Sequence, residues 1–481
     1  MKKANTYVKL IEPSIKEARY RKNNNTNVYH FMLDPKYINL GAGKKYMLKT
    51  YGCQGNLADS EKISGMLEMM GFEPTDNELE ANFVLFNTCA IRENAEERVF
   101  GELGRLQKFK KQNPEMLVGI CGCMPQEEKV VKALKEKFDQ VDIVFGTHNI
   151  ASLPEYLYDA INSKKKVIEV LSYEGDIYEE IPVKRDHDKK AWVNIMYGCD
   201  EFCTYCIVPY TRGKERSRDP QAILDEVKSL AEEGYVEVTL LGQNVNAYGK
   251  DFTDLKYTFA DLLRDLNKIN IPRIRFTTSH PRDLDDATIE AMALGGNIMP
   301  HLHLPVQSGS STVLKKMNRK YTKEEYMDKI NKLKAKIPDI VITTDIIVAF
   351  PGETEEDFQK TIDLVKEVEY GGAYTFIYSP REGTPAATYP NPLTEVEKHQ
   401  RLDALNEVVN TYSLKAHQKF ENEIVEVLVE GPSKNNPNIL SGYSKHNMLV
   451  NFEGDKSLIG KLVNVKVTKA YSWHLFGEVQ K

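Results

Sequence analysis

Of the seven cysteines in this 481-residue chain, three fall within eight positions: Cys199, Cys203 and Cys206, in the stretch CDEFCTYCIVPYTRG. Three thiolates on one tight loop can hold three irons of a [4Fe–4S] cube and leave the fourth iron open. A ferredoxin-type run, C-x2-C-x2-C-x3-C-P, fills its irons for electron transfer. Here the first gap is wider and IVPY follows. A tetrahedral zinc site would want a fourth Cys or His close by, and none lies between Ile207 and Thr278. An open iron of low potential can bind a ligand and pass it one electron. Three further cysteines, Cys53, Cys89 and Cys123, lie 36 and 34 residues apart. Each closes a predicted strand, and loops at the carboxyl ends of parallel strands converge on a crevice. Thiols delivered there can bind a second cluster, again with one open iron; the alternative is that they are small buried residues. Cys121 lies inside its strand, two residues before Cys123, and is read as core.

The elements that position these thiols are legible in the apolar periodicity. KYMLKTYGC reads as a buried strand ending at Cys53, and DSEKISGMLEMMG as a helix with Ile63, Met66, Leu67 and Met70 on one face. NFVLFNTC is a strand ending at Cys89, NAEERVFGELGRLQKFKKQ a helix, and MLVGICGC a strand ending at Cys123. QEEKVVKALKEKF and VDIVFG continue the alternation, which predicts a parallel sheet with helices on its faces. Residues 163–190 are charge-rich, lack a steady period, and are read as a linker or small connecting structure. Six more strands follow: AWVNIMYGC, VEVTLLGQ, RIRFTTSH, HLHLPVQ, VITTDIIVAF and AYTFIYSP. With helices between them they predict a partial or full β/α barrel whose active site lies at the strands' carboxyl ends. One of those helices opens at Asp219-Pro220, a capping carboxylate before a first-turn proline. After the long helical run LTEVEKHQRLDALNEVVNTYSLKAHQKF the texture changes to short strands, which predict a small all-β barrel. The fold class is therefore α/β, with a terminal β-barrel.

The net charge of −6 excludes a globally basic nucleic-acid binder but not a local basic patch. The opening MKKANTYVKLIEPS lacks the apolar run of a signal peptide, and no stretch approaches a membrane span. A cytoplasmic protein with no membrane partner is expected, with reduced thiols serving as ligands, nucleophiles or core.

The pattern C-x3-C-x-aromatic-C, with Tyr205 as the aromatic, resembles the signature of radical S-adenosylmethionine (SAM) enzymes, and it stands at the end of the first barrel strand. The resemblance implies that SAM chelates the open iron and is cleaved there by one electron. The whole pattern resembles the radical-SAM methylthiotransferase family: YGCQGNLADSE, NTCAIRENA and GCM in front, the radical-SAM core behind, and a TRAM domain at the end. It runs from about Lys45 to the C-terminus. One departure is Gly55, where many members carry methionine. The expected divisions are a basic polar extension at 1–44, a methylthiotransferase N-terminal domain at 45–162, the linker at 163–190, a radical-SAM core at 191–415 and a TRAM domain at 416–481. The extension holds nine Lys or Arg against three acids; it reads as a disordered tail, with a tRNA-contacting arm as the alternative.

CIVPYTRGKERSR and LLGQNVNAYG resemble the family members that act on isopentenylated adenosine in tRNA, the tRNA-2-methylthio-N6-dimethylallyladenosine synthases (MiaB type). The implied activity is methylthiolation of carbon 2 of N6-isopentenyladenosine beside the anticodon, with two SAM and two [4Fe–4S] clusters. Carbon 2 bears no usable acidic proton, so acid–base catalysis cannot activate it and a radical can. The metal ligands would be Cys53, Cys89 and Cys123 for one cluster and Cys199, Cys203 and Cys206 for the catalytic one. Gln243, Asn244, Gln307 and Ser308 end the second and fourth barrel strands and are read as SAM contacts, with helix capping as the alternative. A tRNA substrate and a low-potential electron donor are the expected partners of a monomer. Alternatives are methylthiolation of threonylcarbamoyl-adenosine in tRNA or of a ribosomal-protein aspartate, and a non-catalytic iron–sulfur RNA-binding protein. Arg212, Lys214, Arg216 and Arg218 read either as a solvated loop or as substrate contacts. His301 and His303 face one way on a strand and are read as pocket-lining or core. Thr354 in FPGETEEDF is a helix cap. In the last domain Lys434, Lys445, Lys466 and Lys469 with Tyr443, Tyr471 and Trp473 offer charge and stacking rings for RNA.

Overall fold

The computed structural model describes residues 6–19, 26–90, 93–173 and 175–480. Part of the RKNNNTN run and two residues of NTCAIRENA lie outside them. The chain forms two compact units: residues 1–186 with 196–200 and 206–218, and residues 187–195 with 201–205 and 219–481.

The first unit is built on a seven-stranded sheet. Its strands are β1 (Tyr7–Ile11), β2 (Lys45–Tyr51), β3 (Glu73–Pro74), β4 (Phe83–Thr88), β5 (Leu117–Gly122), β6 (Ile143–Phe145) and β7 (Lys166–Glu169), in the order β1-β7-β6-β5-β4-β2-β3. All pairings are parallel, with Tyr51 beside Thr88 and Thr88 beside Gly122. The ends of β2, β4 and β5 are thus in register, and a cysteine follows each within two residues. Helix Gln54–Met69 covers one face and buries Ile63, Met66 and Leu67, with Met70 at its cap, as the periodicity predicts. It starts five residues earlier than the apolar pattern, because Cys53 and Asn56 cap it: the Cys53 amide and thiol both donate to Asn56 Oδ1, at 3.3 and 3.4 Å.

Two expectations need correction here. Residues 163–190 are not all linker, since β7 joins the sheet and buries Val167 and Ile168. The extension before Lys45 is not simply a tail. β1 pairs with β7, and Lys9 donates to Glu155 at 2.7 Å. A short apolar strand hidden between charged residues is enough to pair once a sheet edge is available, and periodicity over so few residues is weak.

The second unit holds six parallel strands in two groups of three: β8 (Lys190–Asn194), β9 (Glu237–Leu241) and β10 (Arg273–Thr277), then β11 (His301–His303), β12 (Val341–Val348) and β13 (Gly372–Ile377). Helices lie between them. Pro220–Glu232 is capped by Asp219, whose carboxylate accepts from Ala222 N at 3.0 Å, and Glu355–Val368 is capped by Thr354. The helix Glu395–Gln418 leads to a closed barrel of β14 (Ile424–Ser433), β15 (Asn436–Ser444), β16 (Leu449–Glu453), β17 (Leu462–Ala470) and β18 (Leu475–Val479), in the order β14-β15-β16-β18-β17. Arg273 of β10 is fully buried against this barrel and donates to the carbonyls of Glu426 and Tyr443, both at 2.9 Å. Among the described residues no helix is long and apolar enough to cross a membrane.

Candidate functional site

The amides of Cys89 and Cys123 continue the ladders of their sheet, donating to Tyr51 O at 2.9 Å and Thr88 O at 2.8 Å. The three strand-end cysteines therefore leave one edge of the sheet together. A buried amide network locks that edge. Asn87 donates to Asn56 O at 2.8 Å and Ser60 Oγ at 2.9 Å, and Asn56 donates back to Asn87 Oδ1 at 3.1 Å. Gly122, just before Cys123, has φ of +96°, and a Cβ there would sit 2.4 Å from Thr88 O. Gly198, just before Cys199, repeats the device, with φ of +78° and a Cβ position 1.8 Å from Lys214 O. Only glycine fits either turn.

The Cys53 thiol is pulled down to about 5, first by its hydrogen bond with Cys89 and then by the charge of Arg212, against its burial. Burial pushes the Cys123 thiol up, with Arg212 opposing. Cys121 packs among Phe83, Leu85 and Phe145, and burial holds its thiol well above the ordinary range. Cys123 packs instead with Ala90 and Ile207, so Cys121 and Cys123 belong to different clusters.

Arg212 is the central charged group of this region. Its Nε donates to Cys123 Sγ at 3.3 Å and its Nη2 to Asp59 Oδ2 at 2.8 Å. The solvated-loop reading of TRGKERSR fails for three of its four cations, because Arg212, Arg216 and Arg218 are buried. Arg218 pairs with both oxygens of Glu179, and Arg216 donates to Gly175 O. A cleft of about 580 Å³, counting its open mouth, lies against Asp59, Lys62, Tyr178, Tyr197, Arg212 and Arg216.

The other cysteine loop splits between the units: Cys199 and Cys206 belong to the first and Cys203 to the second. Cys199 and Cys203 are buried and Cys206 is half-buried. In the second unit the buried Arg319 donates from Nη1 to Cys203 Sγ at 3.4 Å, from Nη2 to Pro305 O at 2.9 Å and from Nε to Tyr321 Oη at 3.0 Å. Each cysteine-bearing region thus has its own buried guanidinium on a sulfur. Sequence reading found neither pairing; the signal for Arg212 was a charged residue six positions after Cys206, and for Arg319 there was none.

Asn244 is fully buried and donates to Asp283 Oδ2 at 2.6 Å. Gln243 is half-buried. Gln307 bridges strands by its backbone, accepting from Ile347 N and donating to Asp345 O, both at 2.9 Å. Ser308 Oγ accepts from Ser310 N at 3.2 Å. Glu201, His280 and Asp283 bring ligand atoms within 4.8 Å of one another. Arg282 pairs with both carboxylates and Lys250 with Asp283, which balances the charge without a metal. His301 and His303 share Thr343 Oγ1, at 3.1 and 3.0 Å, a core arrangement. On the terminal barrel Trp473 is 54% exposed, and Lys469 lies 5.0 Å from the ring of Tyr471. Lys434 and Lys466 are exposed, whereas Tyr443 meets Lys190 of β8 at 5.4 Å.

Residues 45–146 match the uncharacterized protein family UPF0004, residues 193–365 the radical SAM superfamily, and residues 418–480 the TRAM domain. The tRNA-2-methylthio-N(6)-dimethylallyladenosine synthase of Anoxybacillus flavithermus is 56% identical over 471 residues, covering 98% of this chain and 89% of that protein. The protein of the same name from Bacillus subtilis is also 56% identical over 471 residues, covering 98% of this chain and 92% of its own. Among solved structures, the radical S-adenosylmethionine methyltransferase TsrM from Kitasatospora setae, with cobalamin and a [4Fe-4S] cluster bound, superposes with a TM-score of 0.53. It shares 14% identity over 72% of this chain and 74% of that one, a likeness of fold alone. With its three matched domains and near-full-length identity to these synthases, the chain belongs to the radical-SAM methylthiotransferase family, in the group of tRNA-2-methylthio-N(6)-dimethylallyladenosine synthases.

Proposed function

We propose that this protein methylthiolates carbon 2 of N6-isopentenyladenosine beside the anticodon of tRNA. The observation that carries this is 56% identity over 98% of the chain to a synthase of that name. Radical SAM membership brings SAM and a [4Fe–4S] cluster, and the tRNA substrate accords with the terminal TRAM domain. We assign the catalytic cluster to Cys199, Cys203 and Cys206, and a second cluster to Cys53, Cys89 and Cys123. The donor chemistry fits: three free thiols leave one sheet edge, with the Cys53 thiol lowered by hydrogen bonding with Cys89 and a buried cation on Cys123. Cys121 packs in a separate apolar cluster, so we take the set as three, which would leave one iron for a sulfur ligand. When bound, the clusters and SAM supply the radical and the iron-held sulfur.

The chain's own residues place and shield these groups. Arg212 and Arg319 donate to the sulfurs of Cys123 and Cys203, the turns at Gly122 and Gly198 aim the cysteines, and Asn244 is held just after β9 by Asp283. We assign Gln243, Asn244, Gln307 and Ser308 to the surroundings of SAM. We keep the functional divisions at 45–162, 191–415 and 416–481, with a low-potential electron donor as partner and a cytoplasmic monomer as the working form. Mass spectrometry of tRNA nucleosides from a deletion strain tests the activity. Loss of the 2-methylthio nucleoside with accumulation of isopentenyladenosine is expected. Loss of methylthiolated threonylcarbamoyl-adenosine instead would transfer the assignment to that substrate.

A further inference from the structure

β13 is the edge strand of the group β11-β12-β13, and it exposes two aromatic rings: Tyr374 is 59% exposed and Phe376 48%. Thr375 between them turns the other way and donates to Asn406 Oδ1 on the helix Glu395–Gln418 at 2.6 Å. Alternation along the strand therefore puts both rings on the face away from that helix. The parallel register sets Tyr374 beside Asp345 and Phe376 beside Ile347, so the four side chains share this face. The opposite face of β12 is packed, with Thr344, Ile346 and Val348 fully buried.

Polarity changes along the exposed face. Toward the start of the strands the ring of His303 stands edge-on to Tyr374 at 6.0 Å, and its Nε2 lies 3.5 Å from Asp345 Oδ1. Toward the carboxyl ends Phe376 and Ile347 form an apolar step. Ile347 packs on the same cluster as Tyr205, the aromatic between Cys203 and Cys206. The step thus adjoins the cysteine loop, at the strand ends where a β/α barrel does its chemistry. A half-exposed ring there leaves apolar surface for a ligand to cover.

We propose that Phe376 and Ile347 hold the dimethylallyl group of the target nucleoside and so set the enzyme's preference for prenylated tRNA. The inference deepens the activity proposed above and rests on it. In adenine, carbon 2 and the carbon that bears N6 are both bonded to N1, so the prenyl group lies beside the reacting carbon. Its holder has to adjoin the radical source, as Phe376 and Ile347 adjoin the loop of Tyr205. The size agrees: neighbouring strands stand about 4.8 Å apart, so two side chains side by side cover one small branched group. A bare purine would set polar edge atoms against this step at a desolvation cost, whereas a prenyl group has none to bury.

The test uses the full-length enzyme, reconstituted anaerobically, and two synthetic anticodon stem–loops that differ only in the dimethylallyl group. Binding is read by fluorescence anisotropy. Wild type should bind the prenylated loop about tenfold more tightly or better, the worth of covering a small apolar group. Phe376→Ala should remove most of that preference by weakening the prenylated loop alone, and Ile347→Ser should act in the same direction. Phe376→Leu, which keeps an apolar side chain, should retain part of the preference. Melting temperature and iron content should match wild type in the Phe376 variants, because the ring is half exposed. An unchanged preference in both Phe376→Ala and Ile347→Ser overturns the proposal. Equal weakening of both loops overturns it too, since Phe376 would then be a platform for a base. So does a wild type with no preference between the loops. Failure of the wild type to methylthiolate the prenylated loop, read by mass spectrometry, defeats the proposed activity instead, an outcome separate from these.

Discussion

Two arginines far apart in sequence each place a buried guanidinium on a cysteine sulfur, Arg212 on Cys123 and Arg319 on Cys203. Replacing individual side chains tests the roles proposed for the two thiol sets. The reconstituted wild type is expected to hold about eight irons, four per cube. Replacing Cys199, Cys203 and Cys206 by Ala should abolish 5′-deoxyadenosine formation from SAM and dithionite. Replacing Cys53, Cys89 and Cys123 should leave that cleavage detectable and abolish methylthio product. Cys121→Ala should do neither and cost modest stability, as a small truncation in a packed core. Retention of methylthio transfer in the Cys53 set would defeat the two-cluster reading. A second residue-scale expectation concerns Glu353, which burial pushes up to about 6 from 4.5 while Arg401 donates to it at 2.6 Å. An acid with a raised folded pKa binds its proton more tightly when folded. The stabilisation is complete below about 4.5 and is lost, by about 2 kcal/mol, as the pH rises through about 6. Arg401→Met removes the cation and leaves the carboxylate buried. Its melting temperature should fall further below wild type at pH 8 than at pH 5.5, measured by circular dichroism. An equal fall at both would show that Glu353 does not titrate in the folded protein.

At the scale of elements, the cysteines are aimed by strand register and by the turns that follow it. β2, β4 and β5 end level, and Gly122 and Gly198 let the chain turn where a side chain would strike a carbonyl. Gly122→Ala should therefore lower the iron bound at the N-terminal set while leaving SAM cleavage measurable. The strain of a Cβ 2.4 Å from Thr88 O must move either Cys123 or the end of β4. Full iron content in Gly122→Ala would mean that the turn relaxes without displacing the thiol. The same register explains why the segments around 7–11 and 166–169 belong to the sheet, since together they extend its edge by parallel pairing.

For the whole molecule, the TRAM barrel is tied to the strands that precede it. Arg273 and Arg275 of β10 donate to carbonyls of Glu426, Tyr443, Ser444 and Lys445. Deleting residues after Ala416 would strip these acceptors from a fully buried arginine, so truncation tests stability together with RNA binding. Surface variants separate the two. Trp473→Ala and Lys469→Ala act on exposed groups, and together they should weaken tRNA binding about tenfold. They should also reduce the steepness of its salt dependence by about one released counterion, and leave the melting temperature unchanged. Unchanged affinity and salt slope would place the tRNA contact elsewhere.

Most strands and helices and the strand-end placement of Cys53, Cys89 and Cys123 were legible in the linear pattern, whereas the edge strands β1 and β7 were not. Local periodicity and turn residues decide those features within a dozen positions at a time. The family resemblance was carried by short motifs for the same reason. What the pattern could not hold is which distant groups meet. That Arg212 would leave solvent for Cys123 and that Asp59 would neutralise one end of it depend on contacts spanning 89 and 153 residues of chain. So does the burial of Arg273 under β14 and β15, across some 150 residues. A charged residue in a basic run looks solvated because its neighbours are charged; burial is set by what the fold brings against it. The cysteines announce themselves by type and spacing, whereas the cations that attend them are ordinary arginines until the tertiary structure gives them an acceptor.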